Sequence, residues 1–177
     1  MTTAILILNA SSLSLRKLDH IAFTARRVFE SPVNIEPASL DIGRAFDSSR
    51  RQYNSSALLA HILSNSPANN EKRIAVVDVD LYVPVLTFVF GEAQFNGPAA
   101  IVSTHRLANQ FYGMPQNDDF FLERLEKEIV HELGHTFGLY HCRQFDCVMH
   151  SSTYVEEIDL KNVTPCPACG SVLRQTN

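Results

Sequence analysis

The chain reads as a mixed α/β protein, and three observations predict this. Short apolar, β-branched runs alternate with stretches of helical periodicity over about the first hundred residues. Two of those runs, Val85–Phe90 and Ala99–Thr104, are joined by Gly91, Asn96, Gly97 and Pro98, which suits a hairpin and therefore an antiparallel pair in the sheet. A long segment after Asn117 repeats its apolar residues at the spacing of one helix face.

Thr3–Leu8 is uninterrupted enough to be a buried strand, and Leu13–Phe29 reads as a helix with Leu15, Leu18, Ile21, Ala22, Ala25 and Phe29 near one face. A second strand falls within Val33–Leu40. Asn54 can cap a helix reaching Leu63, and Ser64–Asn70 is rich in turn residues. Arg73–Val79 has the β-branched composition of a buried parallel strand. After a break at Met114–Asn117, Asn117 or Asp118 can cap a helix running from Asp118 to Gly138. Leu122, Leu125, Ile129, Leu133 and Phe137 form its apolar stripe, and Glu123 and Lys127 pair on its outer face. Beyond Gly138 the composition turns to Cys, His, Ser, Thr and Pro, with a short helix at Thr153–Lys161. A segment of that composition cannot build a large core and needs a staple.

The 177 residues suit a single domain (1–177), with an N-terminal lobe at about 1–138 and a C-terminal lobe at about 139–177. Hydrophobic residues make up 45% and charged residues 19%, so a core is affordable, and the net charge of −4 with no Lys/Arg block points away from nucleic acid and anionic membranes. The apolar run Ala4–Leu8 is too short for a signal-peptide core and lacks a basic segment before it. Val83–Phe90 is broken by Pro84 and Thr87 and cannot span a bilayer. The expectation is a cytoplasmic protein, monomeric and free of membrane.

The segment His131-Glu132-Leu133-Gly134-His135, followed by Gly138 and His141, carries the chemistry. Residues four apart on a helix share a face, so His131 and His135 can bind one metal ion together. Gly138 can adopt positive φ, end the helix and let the chain return with His141 as third ligand. Three imidazoles leave a fourth position for water, as catalytic zinc sites do. Glu132 points its carboxylate at that water and is the candidate general base, and later the proton donor to a leaving amine. The substrate class this implies is a peptide or protein.

All four cysteines, Cys142, Cys147, Cys166 and Cys169, lie close together. Cys166-Pro-Ala-Cys-Gly has the shape of a zinc knuckle in which Gly170 permits a turn. With Cys142 and Cys147 it can close a four-sulfur structural site. The alternatives are a redox pair, against which the motif does not open a helix after a strand, and disulfides, which a reducing compartment disfavours. Two Zn2+ per chain is the expectation, one catalytic and one structural.

The long form HExxHxxGxxH followed by a methionine resembles the metzincin metalloproteases, and the order His141, Cys142, Cys147, Met149, Cys166, Cys169 resembles the archaemetzincins among them. The match is densest over residues 131–169, with Arg51-Gln-Tyr-Asn and the strand–helix order compatible before it. The resemblance implies a metzincin-like zincin fold with an active-site helix and a small zinc-stapled C-terminal lobe. It implies a zinc peptidase, with Met149 in a Met-turn beneath the metal. It also implies an edge strand, here Val85–Gly91, that pairs with substrate backbone.

Glu128, one turn before His131, can orient a ligand or belong to the solvated face with Glu126 and Lys127, and the charge run favours the solvated face. His150 and Tyr154 can steady an oxyanion or simply pack. His20, His61 and His105 have no ligand-like spacing. Two rival functions remain at this level: a metal-holding regulator that hydrolyses little, against which Glu132 argues, and a thiol-based redox or metal sensor built on the cysteines.

Overall fold

The structure, a computed structural model, describes residues 3–65 and 71–176. Its frame is a five-stranded sheet built from β1 (Ala4–Ala10), β2 (Val33–Pro37), β5 (Glu71–Val77), β7 (Gly91–Ala93) and β8 (Ala99–Ser103). The strand order is β2-β1-β5-β8-β7. The first four strands in that order run parallel, and β7 is the antiparallel edge. A smaller sheet joins β3 (Phe46–Asp47), β4 (Gln52–Asn54) and β6 (Leu81–Tyr82).

Side chains alternate across the large sheet, as strand geometry requires. Ile74, Val76, Ala100 and Val102 point into one core, under α1 (Leu15–Phe29) and α3 (Asp118–Thr136). Ala75, Val77, Ala99 and Ile101 point into the other, under α2 (Ser55–Ser64). Both faces are covered, which is why these strands read as continuous apolar runs. Asn54 and Asn117 cap α2 and α3, accepting from the N–H groups of Ala57 and Phe120. Phe29, closing α1, stacks on Phe137, just past α3, with ring centroids 4.9 Å apart. Such a pair adds about 0.5–1.5 kcal/mol beyond its burial.

Several expectations need correction. Leu15 opens α1 at 71% exposure and takes no part in its buried face. Val85–Phe90 is not a strand. Only Val89 makes a bridge, to Leu81, while Val85 is 88% exposed. The carbonyls of Leu86 and Thr87 are taken by the side chains of Arg50 and Gln52, so this apolar run is held as a loop. The antiparallel partner of β8 is Gly91–Ala93 instead. The turn-rich segment expected at Ser64–Asn70 lies largely outside the described residues.

α3 ends where expected. Gly138 has φ +85°, a left-handed conformation that costs glycine little. Beyond it the chain forms α4 (Val155–Asp159), shorter than the expected helix, and α5 (Pro167–Thr176), which was not expected. Leu139, Val148, Met149, Val155, Ile158 and Leu173 join the core beneath α1 and α3, so this segment shares that core. Arg124 fastens it, donating two bonds of 2.7 and 2.8 Å to Asp159.

The packing of α4 onto α3 overturns the solvated-face reading of Glu128. Lys127 and Glu128 are both buried, at 2% and 3% exposure. The Glu123–Lys127 pair forms at 2.6 Å, but Lys127 also donates to the Asp159 carbonyl and so lies under α4.

Candidate active site and metal centres

His131 and His135 occupy the buried C-terminal half of α3, one turn apart. Each is oriented by a backbone carbonyl. His131 Nδ1 donates to Val148 O at 2.8 Å, and His135 Nδ1 donates to Leu139 O at 2.7 Å. A carbonyl can only accept, so both rings carry their proton on Nδ1 and turn an unprotonated Nε2 outward. The two Nε2 atoms face each other at 3.1 Å. Two lone pairs so placed repel unless a cation lies between them. Tetrahedral ligands 2.0–2.1 Å from zinc sit about 3.3 Å apart. His141 completes the group, its ring centroid 4.8 Å from that of His135 and 5.2 Å from that of His131. One ligand atom from each histidine lies within 4.8 Å of the others. Burial pushes all three imidazoles below their ordinary pKa, His131 furthest, so the rings are neutral and ready to ligate.

Glycines set two close approaches around this group. A Cβ on Gly134 would stand 2.4 Å from Met149 Sδ, so Met149, fully buried, packs on the helix between the two histidines. A Cβ on Gly91 would meet Glu132 Cγ at 2.7 Å, which brings β7 hard against the Glu132 side chain. Burial, followed by the charges of Glu128 and Glu92, raises the Glu132 carboxyl well above the carboxylate range. A bound dication would draw it back down.

A cleft of about 430 Å³ opens over these groups. Its floor is Glu128, His131, Glu132 and His135. One wall is the loop and edge strand from Leu86 to Ala93, and the other is Ser151–Thr153. Glu92 is pinned on the edge strand by the hydroxyls of Ser55 and Ser56. Spacing alone did not point to Gly91, Glu92 or Ser152, and it raised Glu128 only to favour the solvated face. For Glu128 a signal was present: Arg124, Lys127, Glu128, His131, Glu132 and His135 are themselves spaced as one helix face.

The four cysteines also meet. Their sulfurs lie within 4.8 Å of one another, and those of Cys142 and Cys166 are 3.8 Å apart. The separation is far beyond a disulfide bond and close to the edge, about 3.8 Å, of a tetrahedron with zinc–sulfur bonds of 2.3 Å. The N–H groups of Gln144 and Cys166 donate to the sulfurs of Cys142 and Cys147. Gly170 does not shape a knuckle turn as expected: it sits inside α5, its N–H bonded to Cys166 O. Cys166-Pro-Ala-Cys therefore does open a helix, with Pro167 in its first turn, where a missing N–H costs nothing. The Cys169 N–H there, above all, lowers the Cys166 thiol to about 7.

The lesser candidates are placed as well. His150 Nδ1 donates to Cys142 O at 2.8 Å and braces the loop. Tyr154 is 64% exposed and is not among the cleft-lining residues. His20 Nε2 lies 2.7 Å from Glu126, and His20 belongs to neither group of clustered ligands.

A histidine-bearing helix under an antiparallel edge strand, with a third histidine returning past a glycine, defines a zinc metallopeptidase of the metzincin type. The profile of peptidase family M54 matches residues 39–175, and the chain belongs to that family. An archaemetzincin of Natronomonas pharaonis is 38% identical over 147 residues, 81% of this chain and 84% of that one. A zinc-dependent peptidase from Methanocorpusculum labreanum superposes with a TM-score of 0.87 at 30% identity, covering 96% of this chain and 100% of the other. The archaemetzincin of Methanopyrus kandleri superposes at 0.86 with 29% identity, covering 99% and 95%. Among the described residues no helix is long and apolar enough to cross a membrane.

Proposed function

We propose that His131, His135 and His141 hold the catalytic zinc of this metallopeptidase, with Glu132 as its general base and Met149 as the apolar floor of the site. The observation that carries the assignment is the pair of Nδ1–H···O=C bonds that leave both Nε2 atoms facing each other at 3.1 Å, one residue from a buried carboxylate. Cys142, Cys147, Cys166 and Cys169 hold a second, structural zinc, making two ions per chain. When bound, the catalytic zinc supplies a Lewis acid that polarises the scissile carbonyl and acidifies a water molecule.

The chain's own groups do the rest. Val148 O and Leu139 O fix the tautomers of His131 and His135. Glu132 accepts the proton of the attacking water and passes it to the leaving amine. The substrate backbone lies along β7, which has a free edge in the sheet order, and pairs with it through main-chain hydrogen bonds. The edge-strand role expected for Val85–Gly91 thus moves to Gly91–Ala93. The gathering of all four sulfurs within 4.8 Å of one another supports a four-thiolate metal site over a two-thiol redox pair, and such thiols suit a reducing, cytoplasmic setting.

Elemental analysis paired with peptide hydrolysis tests the assignment. Two zinc ions per chain in the wild type, falling to one with loss of hydrolysis in His131→Ala/His135→Ala, is the expected result. One ion in both proteins would overturn it.

A further inference from the structure

Among the described residues, three buried side-chain atoms have no hydrogen-bond partner: Glu128 Oε1, Ser152 Oγ and Lys161 Nζ. They gather in one place. Glu128 and Ser152 line the cleft, and Lys161 Nζ stands 3.8 Å from Glu128 Oε1. That distance is an ion pair without a hydrogen bond. The two side chains are only 5% and 1% exposed, and a buried pair is costly unless further hydrogen bonds complete it. The nearby Arg124–Asp159 pair shows what a completed one looks like, with two direct bonds. Glu128 Oε1 is turned to Lys161, and the carboxylate's other oxygen, Oε2, is the one left toward the cleft that Glu128 lines.

Position and charge indicate what completes them. Glu128 lies one turn before Glu132 on α3, about 6 Å along the axis. The side chain beside the scissile bond of an extended peptide reaches that far. The cleft lining carries Glu92, Glu128 and Glu132 and no lysine or arginine, while Lys161 lies behind Glu128 and outside the lining. The ligand that fits is a hydrogen-bond donor carrying positive charge.

We propose that Glu128, backed by Lys161 and accompanied by Ser152, forms a specificity subsite for a lysine or arginine side chain adjacent to the scissile bond. The subsite rests on the peptidase reading, since it needs a peptide laid over the three histidines. The substrate's cation donates to the other carboxylate oxygen, Glu128 Oε2, while Lys161 stands against Oε1.

The test uses the zinc-loaded protein and two peptide hydroxamates that differ only in a lysine or a leucine next to the chelating group. It is paired with fluorogenic peptides varied at the same place. A charge-assisted hydrogen bond predicts a preference for lysine of roughly 10–100-fold. Glu128→Gln brings the lysine-to-leucine ratio close to one. The double variant Glu128→Gln/Lys161→Met, which leaves no lone buried charge, gives the same loss if the single variant folds poorly. Equal binding of the two hydroxamates, binding of neither, or a preference that survives both variants overturns the subsite. A lysine preference in binding with no cleavage of any peptide would leave the subsite standing and sink the peptidase reading. Cleavage without preference would do the reverse.

Discussion

Gly91 and Glu132 are packed so closely that a methyl group on residue 91 would stand 2.7 Å from Glu132 Cγ and 2.9 Å from its Oε1. The same methyl would lie 2.7 Å from the Ile101 carbonyl, a backbone group that cannot turn aside. Gly91→Ala therefore moves the edge strand or the carboxylate. Displacement of a catalytic group by about 1 Å costs on the order of a hundredfold. The expected outcome is a kcat lowered to that extent with zinc content unchanged. Unaltered turnover would show that the strand yields freely.

Glu132→Gln keeps the shape of the side chain and removes the proton acceptor. Hydrolysis should fall by roughly 10²–10⁴-fold, the usual contribution of a positioned general base, while both zinc ions stay bound. Steady-state kinetics beside elemental analysis checks this, and a variant retaining a tenth or more of its activity would remove Glu132 from the mechanism.

His141 and Cys142 are consecutive, and the Cys142 N–H is tied to Met149 O at 2.8 Å. Opening the cysteine cluster should therefore loosen the third histidine. Cys166→Ser/Cys169→Ser is expected to lose one zinc outright and to weaken the other by 10–100-fold, roughly the range seen when supporting groups are removed. Competition with a chromogenic chelator reads both affinities. Full, tight binding at the histidines would refute the coupling.

Asp47 gives a pH prediction away from the metals. The Ser49 hydroxyl, and after it the Tyr82 hydroxyl, holds its carboxyl down at about 2. An unfolded chain would titrate it near 3.9. The folded value is the lower one, so the carboxylate's contribution is fully present above about pH 4 and is lost as the pH falls toward 2. Asp47→Asn should lower the thermal midpoint by a constant amount from pH 7 to 5, with the difference shrinking below pH 4. A difference that grew in acid would have the wrong sign.

Gly134→Ala sets two effects against each other. Alanine favours the helix by about 1 kcal/mol. Its methyl would lie 2.4 Å from the sulfur of a Met149 that has no room to swing, and overpacking of this kind costs about 1–3 kcal/mol. Net destabilisation is expected in urea unfolding, and Gly134→Ala/Met149→Ala should show a favourable coupling between the two sites.

Much of this architecture is legible in the sequence because it is local. The apolar stripe of α3, its Asn117 cap and the histidine spacing all operate within a few turns of one helix, and the cysteine grouping follows from spacing and chemistry. What escaped is what distant residues decide. Val85–Phe90 has a strand's composition, but Arg50 and Gln52 reach in from another part of the chain and take its carbonyls. The small sheet is assembled from segments of two or three residues, too short for any periodicity to register. Lys127 and Glu128 read as a solvated run because their charge outweighs their place on the histidine-bearing face, and the residues that cover them, Asp159 and Lys161, come from about 30 positions further on. In α5, a glycine that reads as a turn residue was accommodated as an ordinary helical one.

The peptide bond between His141 and Cys142 leaves no slack between the histidine and cysteine groups: a shift of the sulfurs reaches the third imidazole within one residue, and Met149, whose carbonyl accepts from the Cys142 N–H, moves with it.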